Sequence, residues 1–428
     1  MVIRDLAAEA RPHIVGTVLA RQGQNQRRAH MHAGFRAAVL DAALPVAVAQ
    51  TRPSDVTLNP TSVTIERLAT LEFPWGLAAL PDGRLLITEK PGRLRIFAHG
   101  SLSAPLANVP AVAYRTSKSE QGGLLDVAVD PDFAKNQTIY LSYSEQAPEA
   151  TAKGDTNDPR FGGFLDLGDN RLMGGVVARA RLDGTSLADV QVVWRQDPKT
   201  IGRGHFGHRL VIGRDGTLFI TSGDRMRFDP AQSAGSNLGK VVRINRDGTI
   251  PTDNLFTGKT DARPEIWSLG HRNMLAAAVH PASGQLWVAE MGPLGGDELN
   301  VVERGANYGW PVVSNGDNYD KSPIPDHQTR PEFKAPIRTW TPVISPSGAV
   351  FYDGSMFPWR GSLILGGLSS KALIRLTLDG TKVTAEERID MQRRIRDVIQ
   401  AADGALLLIT DDQKGELLRI TPAGGTNR

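Results

Sequence analysis

An imidazole set among glycines, in Gly202-Arg203-Gly204-His205-Phe206-Gly207-His208, stands shortly before a β-rich run at Leu218-Phe219-Ile220-Thr221. Glycine neighbours let a ligand approach the backbone closely, and imidazole is the side chain best suited to take a proton near neutral pH. His205 reads either as a general base or as a hydrogen-bonded structural residue; His208 reads as a polar residue at a strand entry. Asp224 closes the same run. If the unit folds as a hairpin, this carboxylate returns to the imidazole, fixing its tautomer and raising its basicity; otherwise it serves a turn.

Three further segments share that loop-like character: Ser119-Glu120-Gln121-Gly122-Gly123, Gly270-His271-Arg272-Asn273 and the run from Glu290 to Glu298. In Gly270-His271-Arg272-Asn273 the guanidinium of Arg272 could stabilise an oxyanion or bind a carboxylate through two bonds. Arg394 and Arg396, one residue apart, would share a strand face, where like charges repel unless an anion sits between them; the alternative is a solvated face. The loop Glu290-Met291-Gly292-Pro293-Leu294-Gly295-Gly296-Asp297-Glu298 is unlike a strand and exposes backbone carbonyls, which suit Ca²⁺, beside three carboxylates. Its spacing is not that of an EF-hand.

The elements that must position these residues follow from composition and repetition. A chain of 428 residues, 40% hydrophobic, can bury a large core, and 44 glycines with 27 prolines imply many turns. No apolar run is long enough for a membrane helix. The chain has no cysteine, which excludes disulfides, thiolate metal sites and cysteine nucleophiles. The net charge of +3 is accounted for by residues 1–50, where six arginines face Asp5, Glu9 and Asp41. The balanced remainder gives no support to a nucleic-acid partner.

From Leu71 onward a unit recurs in which a Gly turn precedes a short β-rich run: Asp82-Gly83 before Leu85, Asp215-Gly216 before Leu218, Ser283-Gly284 before Leu286, Asp403-Gly404 before Leu406. Looser copies lead into Thr138-Ile139-Tyr140-Leu141 and Leu363-Ile364-Leu365. Six units of roughly 60 residues, with insertions near 145–175 and 310–340, predict an all-β, six-bladed β-propeller whose loops converge at one end of a central channel. A twin β-sandwich is the rival, and a parallel α/β fold is disfavoured because no long amphipathic helix separates the strands. Residues 1–60 lack strand alternation and read as an N-terminal extension or an export leader with an alternative start at Met31, leaving 61–428 as the catalytic domain.

Taken in order, Gln121-Gly122-Gly123-Leu124-Leu125-Asp126, Gly204-His205-Phe206-Gly207, Leu269-Gly270-His271-Arg272-Asn273, Gly292-Pro293 with Gly295-Gly296-Asp297-Glu298, Asn307-Tyr308-Gly309-Trp310 and Arg394-Ile395-Arg396-Asp397-Val398 resemble the soluble pyrroloquinoline-quinone (PQQ)-dependent aldose sugar dehydrogenases of the glucose/sorbosone dehydrogenase family. The resemblance runs from about Leu71 to Pro422. It implies a six-bladed propeller with PQQ on Ca²⁺ at one end of its axis, oxidising a sugar at the anomeric carbon to a lactone and passing electrons to an external acceptor. It implies His205 as general base, Asp224 orienting it, Arg272 polarising the quinone C5 carbonyl that receives hydride, Gln121, Asn273, Arg394 and Arg396 as cofactor contacts, and carbonyls of Gly292 and Pro293 on calcium. A periplasmic or secreted location goes with it.

Two positions depart from the family pattern. Ser369 stands where relatives often have a lysine against the cofactor, and Lys371, two residues on, is the substitute this chain offers. Met291 replaces a Gln or His beside the calcium loop. Two other readings stay open: a calcium-dependent lactonase-type hydrolase using Glu290, Asn273 and Asn307, and a non-catalytic propeller that binds glycan or protein.

Overall fold

The computed structural model describes residues 56–57, 61–116, 120–151 and 171–424. Short strands pair into six antiparallel blades. The first four, in chain order, begin with inner strands Pro74–Ala79, Leu124–Val129, Gly207–Ile212 and Met274–Val279, and the last two with Pro346–Phe351 and Ile395–Gln400. These inner strands touch one another in a closed ring. The outer strand of the sixth blade is Val63–Leu71, which runs antiparallel to Gly415–Pro422 and so closes the ring with strands from the two ends of the propeller sequence.

Each recurring turn feeds the second strand of a blade. Gly83, Gly216, Gly284 and Gly404 adopt φ between 73° and 89°, where a side chain is disfavoured. The residue before each accepts a backbone N–H from two positions on, as in Thr217 to Asp215 at 3.0 Å and Ala405 to Asp403 at 3.2 Å. The looser copies likewise become second strands, Thr138–Thr151 and Leu363–Gly367.

Hydrophobic clusters fill the seams between neighbouring blades, so a second strand is covered on both faces. Leu406–Thr410 is buried at every position, because Leu406 and Leu408 face the fifth blade while Leu407 and Ile409 face the first. Such strands read as continuous apolar runs rather than as alternation.

A polar hub replaces apolar packing at the axis. Arg209, on the inner strand of the third blade, donates to Asp126 (3.2 Å), Asp397 (2.8 Å), Leu275 O (2.7 Å) and Arg396 O (2.8 Å). Leu77 N also reaches Asp397, and Ser347 Oγ reaches Arg396 O, so every blade contributes. The guanidinium lies 4.3 Å from the ring centroid of Trp75. Burial pushes the Asp126 carboxyl up to about 6 against the opposing pull of Arg209.

Val56–Thr57, inside the stretch read as a leader, pairs in parallel with Glu386–Glu387 at the edge of the fifth blade. The export-leader segment itself lies outside the described residues, as does most of the insertion expected at 145–175. The 310–340 insertion spans most of the link to the outer strand of the fourth blade, Arg338–Trp340, and contributes Gly316–Asp317, which pairs with Leu294–Gly295. The stretch read as unlike a strand thus holds this short pairing at its centre, while its ends, Glu290 and Asp297–Glu298, belong to paired strands of the fourth blade, Glu290 opposite Glu298. Among the described residues no helix is long and apolar enough to cross a membrane.

Candidate active site

The residues just before the inner strands and just after the second strands come together at one end of the axis. They line a cavity of about 220 Å³ that includes Gln121, Phe206, Asn273 and Arg394 from the first set and Lys90, Met291, Leu368 and Asp411 from the second. Trp75 and Arg396 complete much of the wall.

His205 sits beside this wall in the loop that enters the inner strand of the third blade. Its neighbour Phe206 lines the cavity, as does Gln121, whose Oε1 accepts the His205 N–H at 2.9 Å. His205 has φ of 48°, and the backbone of Gly223 passes so close that a Cβ there would stand 2.1 Å from His205 O. The chain therefore needs glycine at 223, which delivers the next residue to the imidazole. His205 Nδ1 and Asp224 Oδ1 are 2.7 Å apart.

Asp224 is fully enclosed and accepts two more bonds, from Met226 N at 2.9 Å and from Trp310 Nε1 at 2.8 Å. Burial raises its pKa, but the charge and hydrogen bond of His205, Arg272 and the Met226 N–H outweigh burial and hold it below the usual carboxylate range. Trp310 stacks on Phe228 at 5.3 Å. Its part in orienting Asp224 has no local sequence signal beyond its place in the Asn307–Trp310 motif.

A second histidine–carboxylate pair shows why proximity alone is not a site. His271 contacts Glu290 through Nδ1 (2.9 Å) and Ser268 through Nε2 (2.9 Å), and it stacks on Tyr308. Both its nitrogens are committed and it is wholly buried. His208 is also wholly buried, and burial pushes its pKa down to about 3; it stays neutral.

Arg394 and Arg396 do share a face, and the anion between them is built in. Arg394 Nη2 and Arg396 Nη2 meet the two oxygens of Asp411 at 2.7 and 2.6 Å. Burial raises the Asp411 pKa, but the two arginines hold it well below the usual range. Lys90, absent from the sequence reading, brings a third cation to the wall. The register signal that could have found it is its position directly after Leu85–Glu89, matching Asp411 after Leu406–Thr410.

Lys371 does not join them. It is exposed in a turn with φ of 52°, and Ser369 is exposed too, its hydroxyl bonded to Val343 O. Neither residue lines the cavity.

Arg272 borders a narrower crevice with Glu290, Gly292 and Trp310 rather than the main cavity. Its Nη1 donates to Met291 O and Gly292 O, both at 2.9 Å, and Nη2 to Tyr319 Oη at 3.0 Å. Nε of Arg272 and Oδ1 of Asn273 are buried without a hydrogen-bond partner among the described residues. Pro293 is buried in the same loop, and Asp297 pins that loop by accepting from Gly292 N and Ser345 N. Among the described residues no cluster of three His, Cys, Asp or Glu could hold a metal, so a cation here would depend on carbonyl oxygens. Asn307 bonds Gln232, and Glu290 is engaged by His271, Arg272 N and Asn300, so two of the three groups of the lactonase reading are committed to protein partners.

Residues 71–419 match the family model described as glucose/sorbosone dehydrogenase. Aldose sugar dehydrogenase YliI of Escherichia coli is 40% identical over 85% of this chain and 94% of its own length. A crystal structure of a glucose dehydrogenase aligns with a TM-score of 0.75 at 41% identity, covering 85% of this chain and all of that one. The PQQ-bound form of an aldose sugar dehydrogenase from Streptomyces coelicolor aligns at 0.64 and 26% identity over 85% of this chain and 99% of its own.

Proposed function

The chain belongs to the glucose/sorbosone dehydrogenase family and is a sugar dehydrogenase of the quinoprotein type, and from that premise we propose that it oxidises aldoses at the anomeric carbon to lactones with PQQ and Ca²⁺. The observation that carries this reading is the His205–Asp224 pair, 2.7 Å apart, set against a cavity whose wall holds Lys90, Arg394 and Arg396. A tricarboxylate cofactor can be buried only among compensating cations and donors, and the cavity offers three cations, two of them sharing Asp411, with the amides of Gln121 and Asn273. The partnerless Oδ1 of Asn273 awaits a donor from a ligand.

When bound, PQQ supplies the two-electron acceptor to which the anomeric hydrogen passes as hydride. His205 takes the hydroxyl proton of the same carbon. Because Nδ1 donates to Asp224, the basic nitrogen is Nε2, and Asp224, held ionised, stabilises the imidazolium that forms. Arg272 acts through Nε, its one nitrogen without a protein partner among the described residues. The carbonyls of Gly292 and Pro293 would hold calcium. The reading includes export to the periplasm or medium, supported by the arginine-containing, then alanine-rich, run after Met31.

Reconstitution of the purified protein with PQQ and CaCl₂ tests the proposal. Dye-linked oxidation of aldoses and a PQQ-dependent rise in Tm are expected. No oxidation across a panel of sugars, with no rise in Tm, overturns it.

A further inference from the structure

Lys90 is a buried ammonium with unused hydrogen-bonding capacity. It is only 6% exposed, yet Nζ makes a single hydrogen bond, to Glu120 O at 3.0 Å, and otherwise lies over the Phe73 ring at 5.2 Å. An ammonium carries three donors, so two of them have no protein acceptor among the described residues. Buried charges left this way are costly unless a ligand completes them.

The backbone holds this group in place rather than letting it swing to solvent. Lys90 N donates to Phe73 O (2.9 Å) and Lys90 O accepts from Leu124 N (3.0 Å), which fastens the residue across the first and second blades. Gly123 lies against it so closely that a Cβ would stand 2.2 Å from Lys90 O. The side chain then enters the cavity lined by Arg394, Arg396 and Asp411. Asp411 is already divided between the two arginines, and Glu120 spends Oε1 on Gly122 N at 2.9 Å. Neither carboxylate oxygen is hydrogen-bonded to Lys90.

We propose that Lys90 is a cofactor-binding residue whose two remaining N–H donors take a carboxylate of the anionic quinone, so that the lysine of this site comes from the first blade and not from the Ser369–Lys371 turn. The inference rests on the cofactor reading above. Its electrostatic setting is consistent: burial pushes the ammonium down to about 8, Arg396 and Arg394 push the same way, and Asp411 and Glu120 oppose them. A bound carboxylate relieves what burial costs the charged form.

The test is PQQ binding to the protein with calcium, followed by isothermal titration rather than by turnover. Lys90→Met, which keeps an unbranched stem without the ammonium, is expected to weaken PQQ about 10- to 100-fold, the scale of a hydrogen bond to a charged group, while Lys90→Arg recovers part of the loss. The trimethyl ester of PQQ, which lacks carboxylate charge, should bind wild type and Lys90→Met within about twofold of each other. Should Lys90→Met fold poorly, reductive methylation of the wild-type protein at pH 8.5 gives the same answer, with PQQ expected to protect the Lys90 peptide. Wild type and Lys90→Met binding PQQ equally, or no protection, removes Lys90 from the site and leaves the cofactor reading standing. Wild type failing to bind PQQ at all overturns both.

Discussion

Asp224 holds His205 with one carboxylate oxygen and Trp310 with the other, at 2.7 and 2.8 Å. The two partners come from the third blade and from the long connection in the fourth, so the imidazole is oriented by a contact that no hairpin alone supplies. His205→Gln is expected to lower kcat about 10²- to 10⁴-fold, the range of a lost general base, with PQQ affinity within about twofold of wild type. Asp224→Asn leaves the pair able to adopt the wrong tautomer and is expected to cost on the order of 10⁴ in kcat. Trp310→Phe keeps the stack on Phe228 and removes one donor to a charged acceptor, a loss of about tenfold. Steady-state kinetics on the reconstituted enzyme reads all three; equal kcat for wild type and His205→Gln contradicts the assignment.

Arg225 is the clasp of the His205 loop. Its guanidinium donates to the carbonyls of Gly202, Gly204 and Met173 and lies 3.8 Å from the centroid of Phe206. His205, Arg225 and Met226 all adopt positive φ, between 48° and 57°, a strain that needs such over-determination. Arg225→Leu leaves buried carbonyls without donors, and a loss of about 3 kcal/mol in stability is expected. At a temperature where the variant remains folded, kcat should fall roughly 10- to 100-fold, since small misplacement of a reacting group is enough for that, while PQQ affinity changes less than threefold. A variant with normal kcat shows the clasp to be structural only.

The blade unit was legible because its turn is chemical as well as periodic: an Asp or Ser side chain followed by a glycine at positive φ marks the start of each of four second strands. The pairing of His205 with Asp224 was legible for the same reason, since both flank one hairpin. Closure of the ring was not, because Val63–Leu71 carries no mark of its distant partner Gly415–Pro422. Lys90 and Asp411 escaped notice because a residue after a strand looks alike in sequence whether it faces solvent or the axis. Lys371 was misplaced by two-residue proximity to Ser369, which means little in a turn where the chain reverses into Ala372–Asp379.

Asp411 gives the cavity wall an acid limit. Its pKa lies below that of an unfolded carboxyl, about 3.9, so its stabilisation is complete above that value and is lost as pH falls below it toward the folded pKa. Asp411→Asn removes this term at every pH and leaves Arg394 and Arg396 facing each other. Because Arg394 is half exposed while Arg396 is buried, a loss of about 3 kcal/mol at neutral pH is expected, the lower end for breaking a buried pair. Urea unfolding from pH 3 to pH 7 should show a smaller increase in stability for the variant than for wild type. Parallel curves contradict the assignment.

At the proposed calcium site, the cation and Arg272 compete for one oxygen. Nη1 of Arg272 donates to Gly292 O at 2.9 Å, the carbonyl assigned to the metal, and a carbonyl with two lone pairs can serve both cations only by bringing their charges together. Calcium should therefore bind weakly to the cofactor-free protein and more tightly once an anionic quinone offsets the repulsion, with the coupling equal in both directions. Arg272→Gln keeps a donor without the charge and is expected to tighten calcium in the cofactor-free protein by at least about tenfold, since a divalent ion and a guanidinium about 4 Å apart repel by about 2 kcal/mol even at the dielectric of water. Calcium titration monitored by Tm, on wild type and Arg272→Gln without PQQ, decides it. An unchanged or weaker calcium affinity in the variant means that the cation does not share the Gly292 carbonyl.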